Sequence, residues 1–506
     1  MRITKINGTI TQYPPNLSRI SGLIICLGYW LAWGYPFAEA EQIPQLGNGL
    51  RNGWADQHSI VIWTRTTRHA EMNQKGPDFL QVPASVESVA RSGGDPSLYA
   101  SLQMPPQTQL DEMLGACPGA PGQVRLLYHL EHHPESVRRT PWTSTHADQD
   151  HAVQWKLESL TPGKTYRVMV EARPVDGGEV TATCEGAFQT APGMDQSSEL
   201  SFCVTTCHDF LRRDGGLEGH QIYVPMQAMR PDFVVHAGDI EYYDKPGPWA
   251  WTIELMRFKW GRLFSMPRNR AFYASHTTYF IKDDHDTLRN DCWPGQRYGN
   301  VSFEQGVQLF NEEQFPSRNP RYHSIAWGKD LSIWLLEGRD YRSPNTAEDG
   351  PSKTILGPDQ KAWLKASLSA SSATFKLVFT PTPIVGPDRP NKKDNHANAV
   401  FAHEGAELRS FFASIPGVIL FCGDRHWQYA SVDEETGLWE FGCGPGSAKH
   451  QLGWKVGDER PQHRFLRVAG GYLTGEVMAR EDGLPRLRLR HRDVYGSPVS
   501  EFVFPQ

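Results

Sequence analysis

From about residue 42 to residue 190, apolar and polar positions alternate in short runs. Ser59–Thr64, Gln123–His129, His151–Leu157 and Thr165–Glu171 each switch side chains with a period of two, as half-buried strands do. Leu160-Thr-Pro-Gly-Lys-Thr-Tyr166 places Pro and Gly between two of these runs, where a turn needs them. The spacing predicts a small immunoglobulin/fibronectin-like all-β domain over residues 41–195. Residues 68–121 are rich in Pro, Gly, Ser and Gln and read as a long insertion rather than core, with no assignable role.

After a linker at 191–198 the pattern changes. Leu200–Thr205, Asp232–His236, Leu331–Leu336, Phe375–Phe379 and Val418–Phe421 are almost wholly apolar and predict buried strands. Helical spacing marks 358–368 and 404–412. Strands alternating with helices predict an α/β layered fold over 196–506, and the tail from Phe465 to Phe504 alternates again as strands that would close the sheet. No internal repeat interrupts this plan.

Length and composition sharpen the picture. A chain of 506 residues exceeds what one core usually supports, so two or more domains are expected. With 51 Lys+Arg against 57 Asp+Glu, no nucleic-acid-binding surface is evident. Arg2, Lys5 and Arg19 precede an apolar stretch at 21–33, and Ala38-Glu39-Ala40 follows as an A-x-A cleavage pattern. Residues 1–40 therefore read as a signal peptide, with the remainder exported to the periplasm, cell surface or medium. An uncleaved anchor is the competing reading, although the run is short for a membrane span. Eight cysteines become seven without Cys26, which leaves at least one thiol unpaired. Cys117 and Cys184 are a candidate disulfide whose connectivity stays open, and Cys203 reads as core.

Polar residues able to bind metals follow the apolar runs: Thr205-Thr-Cys-His-Asp209, Gly238-Asp-Ile-Glu-Tyr-Tyr-Asp244, Asp283-Asp-His-Asp286 and Gly423-Asp-Arg-His426. Ligands of α/β sheets gather beyond the carboxyl ends of strands, so these loops are expected to converge. Carboxylates suit hard cations, and thiolate with phenolate favours a strongly Lewis-acidic ion. Phosphate-ester hydrolysis needs a nucleophile at neutral pH, counter-charge for the phosphoryl oxygens and a group to stabilise the departing oxygen. A bimetal centre meets the first two needs by lowering the pKa of bound water from about 15.7 toward 7 and clamping the oxygens.

Cys207 after a strand, Gly238-Asp239 with Tyr242, Asp283-Asp-His-Asp286 with Asn290, Leu356-Gly-Pro-Asp-Gln-Lys-Ala-Trp-Leu364 and Gly423-Asp-Arg-His-Trp427 together resemble the ordered motifs of PhoD-like phosphatases (alkaline phosphatase D and related phosphodiesterases). Gly53–Arg65 resembles the opening of that family's N-terminal sandwich. The resemblance implies a metallophosphatase-type layered β-sandwich with flanking helices. It implies that Cys207, Asp239 and Tyr242 hold a ferric ion, with Asp239 bridging toward calcium, and that Asp284, Asn290 and Asp424 lie on the calcium side. His426 would be a ligand or phosphate contact, His285 the catalytic histidine and Arg339 a phosphate-binding arginine. His208 and Glu337 stand where the family commonly has Gln and Asp, and the segments 380–390 and 395–398 also differ.

The expected function is an exported metal-dependent phosphoesterase hydrolysing small phosphomonoesters, phosphodiesters or both, by in-line attack of metal-bound hydroxide, with no stable membrane span after signal cleavage. The alternative is an exported binding or cell-surface module with a degenerate phosphatase domain.

Overall fold

The computed structural model describes residues 43–88 apart from 84 and 87, residues 101–478 and residues 484–505. The proposed signal peptide lies outside the described residues. Two large sheets dominate. The first has nine strands in the order Phe502–Phe504, Arg486–Asp493, Gly471–Met478, Leu200–Thr205, Phe233–Ala237, Thr278–Ile281, Leu50–Gly53, Ile60–Arg65 and Ala152–Leu157. The second has seven, in the order His323–Trp327, Leu331–Leu335, Phe375–Thr380, Val418–Cys422, Trp439–Cys443, Gln428–Val432 and His463–Arg467. Their central strands run parallel, so both sheets bring several strand carboxyl ends to one side.

The apolar runs are explained by burial on both faces. Phe202, Val204, Phe233, Val235 and Tyr279 point to the second sheet, whose Ile333, Leu377, Phe379, Ile419 and Phe421 meet them. The intervening Cys203, Val234 and Phe280 point outward, into a core made with the helices Ile253–Ser265 and Pro267–Ser275. Likewise Trp334, Val378 and Leu420 pack on the helices Pro358–Ala370 and Ala402–Ala413. A period of two thus serves two cores at once, one between the sheets and one under each helical layer. Cys203 is core, and the tail does close the first sheet, because Gly471–Met478 pairs antiparallel with Leu200–Thr205.

The N-terminal strands pack a further two-layered core. Leu50, Ile60 and Ile62 face Val124, Leu126, Val168, Val170 and Phe188, which belong to a separate sheet running Arg138–Arg139, Gln123–Leu130, Thr165–Arg173, Ala182–Gln189. One of these two layers is continuous with the nine-stranded sheet, since Gly53 pairs with Thr278. The insertion at 68–121 is partly core, contrary to its loop-like composition. Met113 and Ala116 pack on Phe258, and the Gln103 side chain both donates to the Trp249 carbonyl at 3.0 Å and accepts from its amide at 2.7 Å. Cys117 and Cys184 are not bonded to each other; all seven described cysteines are free thiols. Among the described residues, no helix is long and apolar enough to cross a membrane.

Candidate metal centre

Loops after five parallel strands meet at one end of the inter-sheet core, knitted by backbone bonds. The Cys207 amide donates to the Gly238 carbonyl at 3.2 Å, that of His208 to Asp239 at 2.8 Å, and that of Gly423 to Thr380 at 3.1 Å. Two glycines permit the closeness. A Cβ on Gly423 would lie 1.9 Å from the Ala237 carbonyl oxygen, and one on Gly238, whose φ is +93°, would lie 2.7 Å from Cβ of Asp283. Three of the polar residues they bring together also have left-handed backbones: Cys207 at φ 56°, Asp239 at 55° and Asp424 at 58°. Such conformations cost non-glycine residues about 1 kcal/mol or more and cluster at functional sites.

One side of the site combines sulfur, phenol, carboxylate and imidazole. Cys207 Sγ lies 3.6 Å from Asp239 Oδ2, which also accepts from the Tyr242 hydroxyl at 3.2 Å, and Tyr242 Oη is 3.1 Å from His426 Nε2. Burial, and then Asp239, push the Cys207 thiol and the Tyr242 phenol far above their ordinary values. Burial, followed by His450, His285, Arg425 and Arg389, holds His426 neutral. Neutral imidazole is the form that ligates metals.

The other side is acidic. Ligand atoms of Asp239, Asp284 and His285 come within 4.8 Å of one another, as do those of Asp239, Asp283 and Asp424. Burial pushes Asp239 well up, and Asp284, Asp283 and Asp286 push it further against the opposing Arg339. Burial likewise raises Asp283 to about 6. So many carboxylates cannot all ionise in a dry site unless cations neutralise them. Asp239 Oδ1 and Asp283 Oδ2 are buried and find no hydrogen-bond partner among the described residues. Unpartnered buried carboxylate oxygens beside a thiol and a phenol are the donor set that metal ions satisfy, so the residues fit a metal centre.

The structure brings together Cys207, Asp239, Tyr242, Asp284, His285, Asp424 and His426. His285 Nδ1 is 2.5 Å from Asp244 Oδ1, and the backbone amide of Asn290 donates to Asp244 Oδ2 at 2.9 Å. The Asn290 side chain itself is exposed. Arg339, expected to face phosphate, is instead fully buried. Its Nε donates to Asp283 at 2.5 Å, its Nη2 to Asp394 at 3.3 Å and its Nη1 to the Cys292 carbonyl at 3.4 Å. Its charge offsets these acids, with Asp284 Oδ2 3.9 Å from Nη2. His208 packs rather than ligates, with Nδ1 2.9 Å from His236 Nε2 and Nε2 2.7 Å from Tyr223 Oη. Glu337 accepts from Lys282 Nζ at 2.6 Å and from the Arg339 amide at 2.7 Å, which explains an acid at that position.

Sequence reasoning missed Asp244, Asp388, Asp394, Arg425 and His450 as site neighbours. Asp244 ends a motif already singled out, and its distance of two residues from Tyr242 was the available signal. His450 packs against His426 with 4.2 Å between tilted ring centroids and places Nδ1 3.2 Å from the Cys207 carbonyl.

The chain is similar to several known proteins. The family model described as PhoD-like phosphatase matches residues 202–465. Alkaline phosphatase D of Bacillus subtilis (strain 168) is 22% identical over 402 residues, 65% of this chain, and the match spans 64% of that relative's length. The solved structure of PhoD superposes with a TM-score of 0.64 at 18% identity, covering 90% of this chain and 88% of that one. Purple acid phosphatase PPD1 from yellow lupin (Lupinus luteus) seeds gives 0.59 at 12% identity, covering 90% and 73%. At such identities the two structures speak for the α/β metallophosphatase fold.

Proposed function

Because the chain belongs to the PhoD-like phosphatase family, we propose that it is an exported, metal-dependent hydrolase of phosphate esters, acting on monoesters, diesters or both. The observation that carries this reading is the meeting of Cys207, Asp239, Tyr242 and His426 with Asp283, Asp284 and Asp424 around buried carboxylate oxygens that lack partners. Cys207, Asp239, Tyr242 and His426 would hold a ferric ion; Asp239, Asp283, Asp284 and Asp424, with Asn290 at the rim, would hold calcium. Metals bound there would supply Lewis-acid clamping of phosphoryl oxygens and a water of lowered pKa.

The chain's own groups do the rest. Asp244 accepts the Nδ1 proton of His285 and fixes the ring, leaving Nε2 to hand a proton to the departing oxygen when the imidazole is charged. Tyr242 packs against that ring, tilted by 40° with 4.4 Å between centroids, and limits its swing. Arg339 and Arg425, wholly buried, balance the acids and keep the loops in place. Catalysis would lie within residues 196–506, with 41–195 as a second domain packed against them.

The test is turnover of p-nitrophenyl phosphate and bis-p-nitrophenyl phosphate by protein whose metals have been assayed. Hydrolysis of at least one, abolished by a chelator, is expected. Metal-loaded protein inert to both would sink the reading. A degenerate domain with only a binding role would show neither bound metal nor turnover.

A further inference from the structure

The loop after the strand Phe375–Thr380 is rich in Pro and charge, and it is tightly built. The buried carboxylate of Glu440 accepts from the amides of Ile384, Val385 and Gly386 at 2.7, 2.9 and 2.8 Å. Asp388 accepts from Arg425 Nη1 at 3.1 Å and from Asn395 Nδ2 at 2.7 Å, and Asn398 Nδ2 donates to the Arg389 carbonyl at 3.1 Å. The backbone on both sides of Arg389 is thereby held.

Its side chain is not. Among the described residues none accepts a hydrogen bond from the Arg389 guanidinium; its nearest acid is Asp388, with Nε 3.6 Å away, and Nε itself makes no hydrogen bond. The guanidinium lies 5.6 Å from the centroid of Trp427, the residue next to His426. Its side chain is 28% exposed, whereas those of Arg339 and Arg425 are 0% exposed and donate to carboxylates. An arginine with a fixed root, a free fork and a solvent opening beside the site can bind an arriving anion. Arg339 and Arg425 already commit both terminal nitrogens to protein acceptors.

Resting on the phosphoesterase reading, we propose that Arg389 is the substrate-binding arginine of this site, its fork taking non-bridging oxygens of the ester's phosphate. The role expected of Arg339 therefore falls to a residue on a different loop.

The experiment compares wild type with Arg389→Gln and Arg389→Lys, all metal-loaded and with metal content and melting temperature measured. Loss of one charge-assisted contact should raise KM for p-nitrophenyl phosphate about tenfold or more in Arg389→Gln, weaken inhibition by inorganic phosphate in parallel, and change kcat by less than about threefold. Calorimetric binding of inorganic phosphate should weaken equally, independently of turnover. Arg389→Lys should recover part of the loss, because charge is kept and the fork is not. An active wild type with KM and phosphate affinity unchanged in Arg389→Gln overturns this proposal alone. A metal-loaded wild type inert to both nitrophenyl esters overturns the parent reading and this one with it.

Discussion

Asp244 Oδ1 lies 2.5 Å from Nδ1 of His285, and the same carboxylate accepts the Asn290 amide through its other oxygen at 2.9 Å. This fixes which nitrogen of the histidine is available. Asp244→Asn should leave the fold intact but let the ring take the wrong tautomer, lowering kcat about 10²- to 10⁴-fold, the range of a lost general acid. Steady-state kinetics with a metal assay checks it; an unchanged kcat would remove His285 from the chemistry.

The cluster of thiol, phenol and carboxylate gives a spectroscopic prediction. With ferric iron bound, the Tyr242 phenolate should give a visible charge-transfer band. Tyr242→Phe should bleach that band, and Cys207→Ser and Asp239→Asn should lower iron content together with turnover. Absorbance and elemental analysis of the purified variants decide the matter.

Gly423→Ala should be severe, because the added methyl would sit 1.9 Å from the Ala237 carbonyl oxygen and 2.9 Å from Thr206 Oγ1. Backbone must move to admit it, at about 1–3 kcal/mol for overpacking. Since Asp424 is the next residue, bound metal should fall along with melting temperature.

Glu404 anchors the helix Ala402–Ala413 to the loops above it. It accepts from the Ile355 amide at 2.5 Å, bonds His396 Nε2 at 2.9 Å and takes the Thr354 hydroxyl. Burial alone would raise its pKa; His396, Thr354 and Ile355 outweigh burial and hold it down to about 2, against an ordinary value of 4.5. A depressed folded-state pKa means the stabilisation is complete above pH 4.5 and drains away as pH falls toward 2. Glu404→Gln should cost on the order of 3 kcal/mol at pH 7, and the gap to wild type should narrow across that acid window in denaturant titrations.

Much of this was legible in the chain itself. Buried parallel strands such as Phe233–Ala237 are short apolar runs, and the acids after them stand out against that background. The helix Ile253–Ser265 was not, because its Lys259 and Arg262 point inward, to the Tyr242 and Gly247 carbonyls, and erase the polar face that helical spacing relies on. The acid partners of Arg339 were hidden for the same kind of reason. Its partners Asp283 and Asp394 lie more than fifty residues away on either side, and an arginine's local sequence does not say whether a distant acid will claim it. Asp394 itself stands in a Pro-rich stretch without periodicity, where nothing local marks one acid from another.

The pairing of Gly53 with Thr278 bears on any attempt to trim the protein. A fragment beginning at residue 196 would lose Leu50–Gly53 from the flank of Thr278–Ile281, along with the Ala55 carbonyl that the Tyr279 hydroxyl reaches at 2.6 Å. A bare strand with apolar residues on both faces then invites other copies to dock along it. Such a fragment should be recovered as aggregates, whereas cuts in front of residue 43 leave this seam closed.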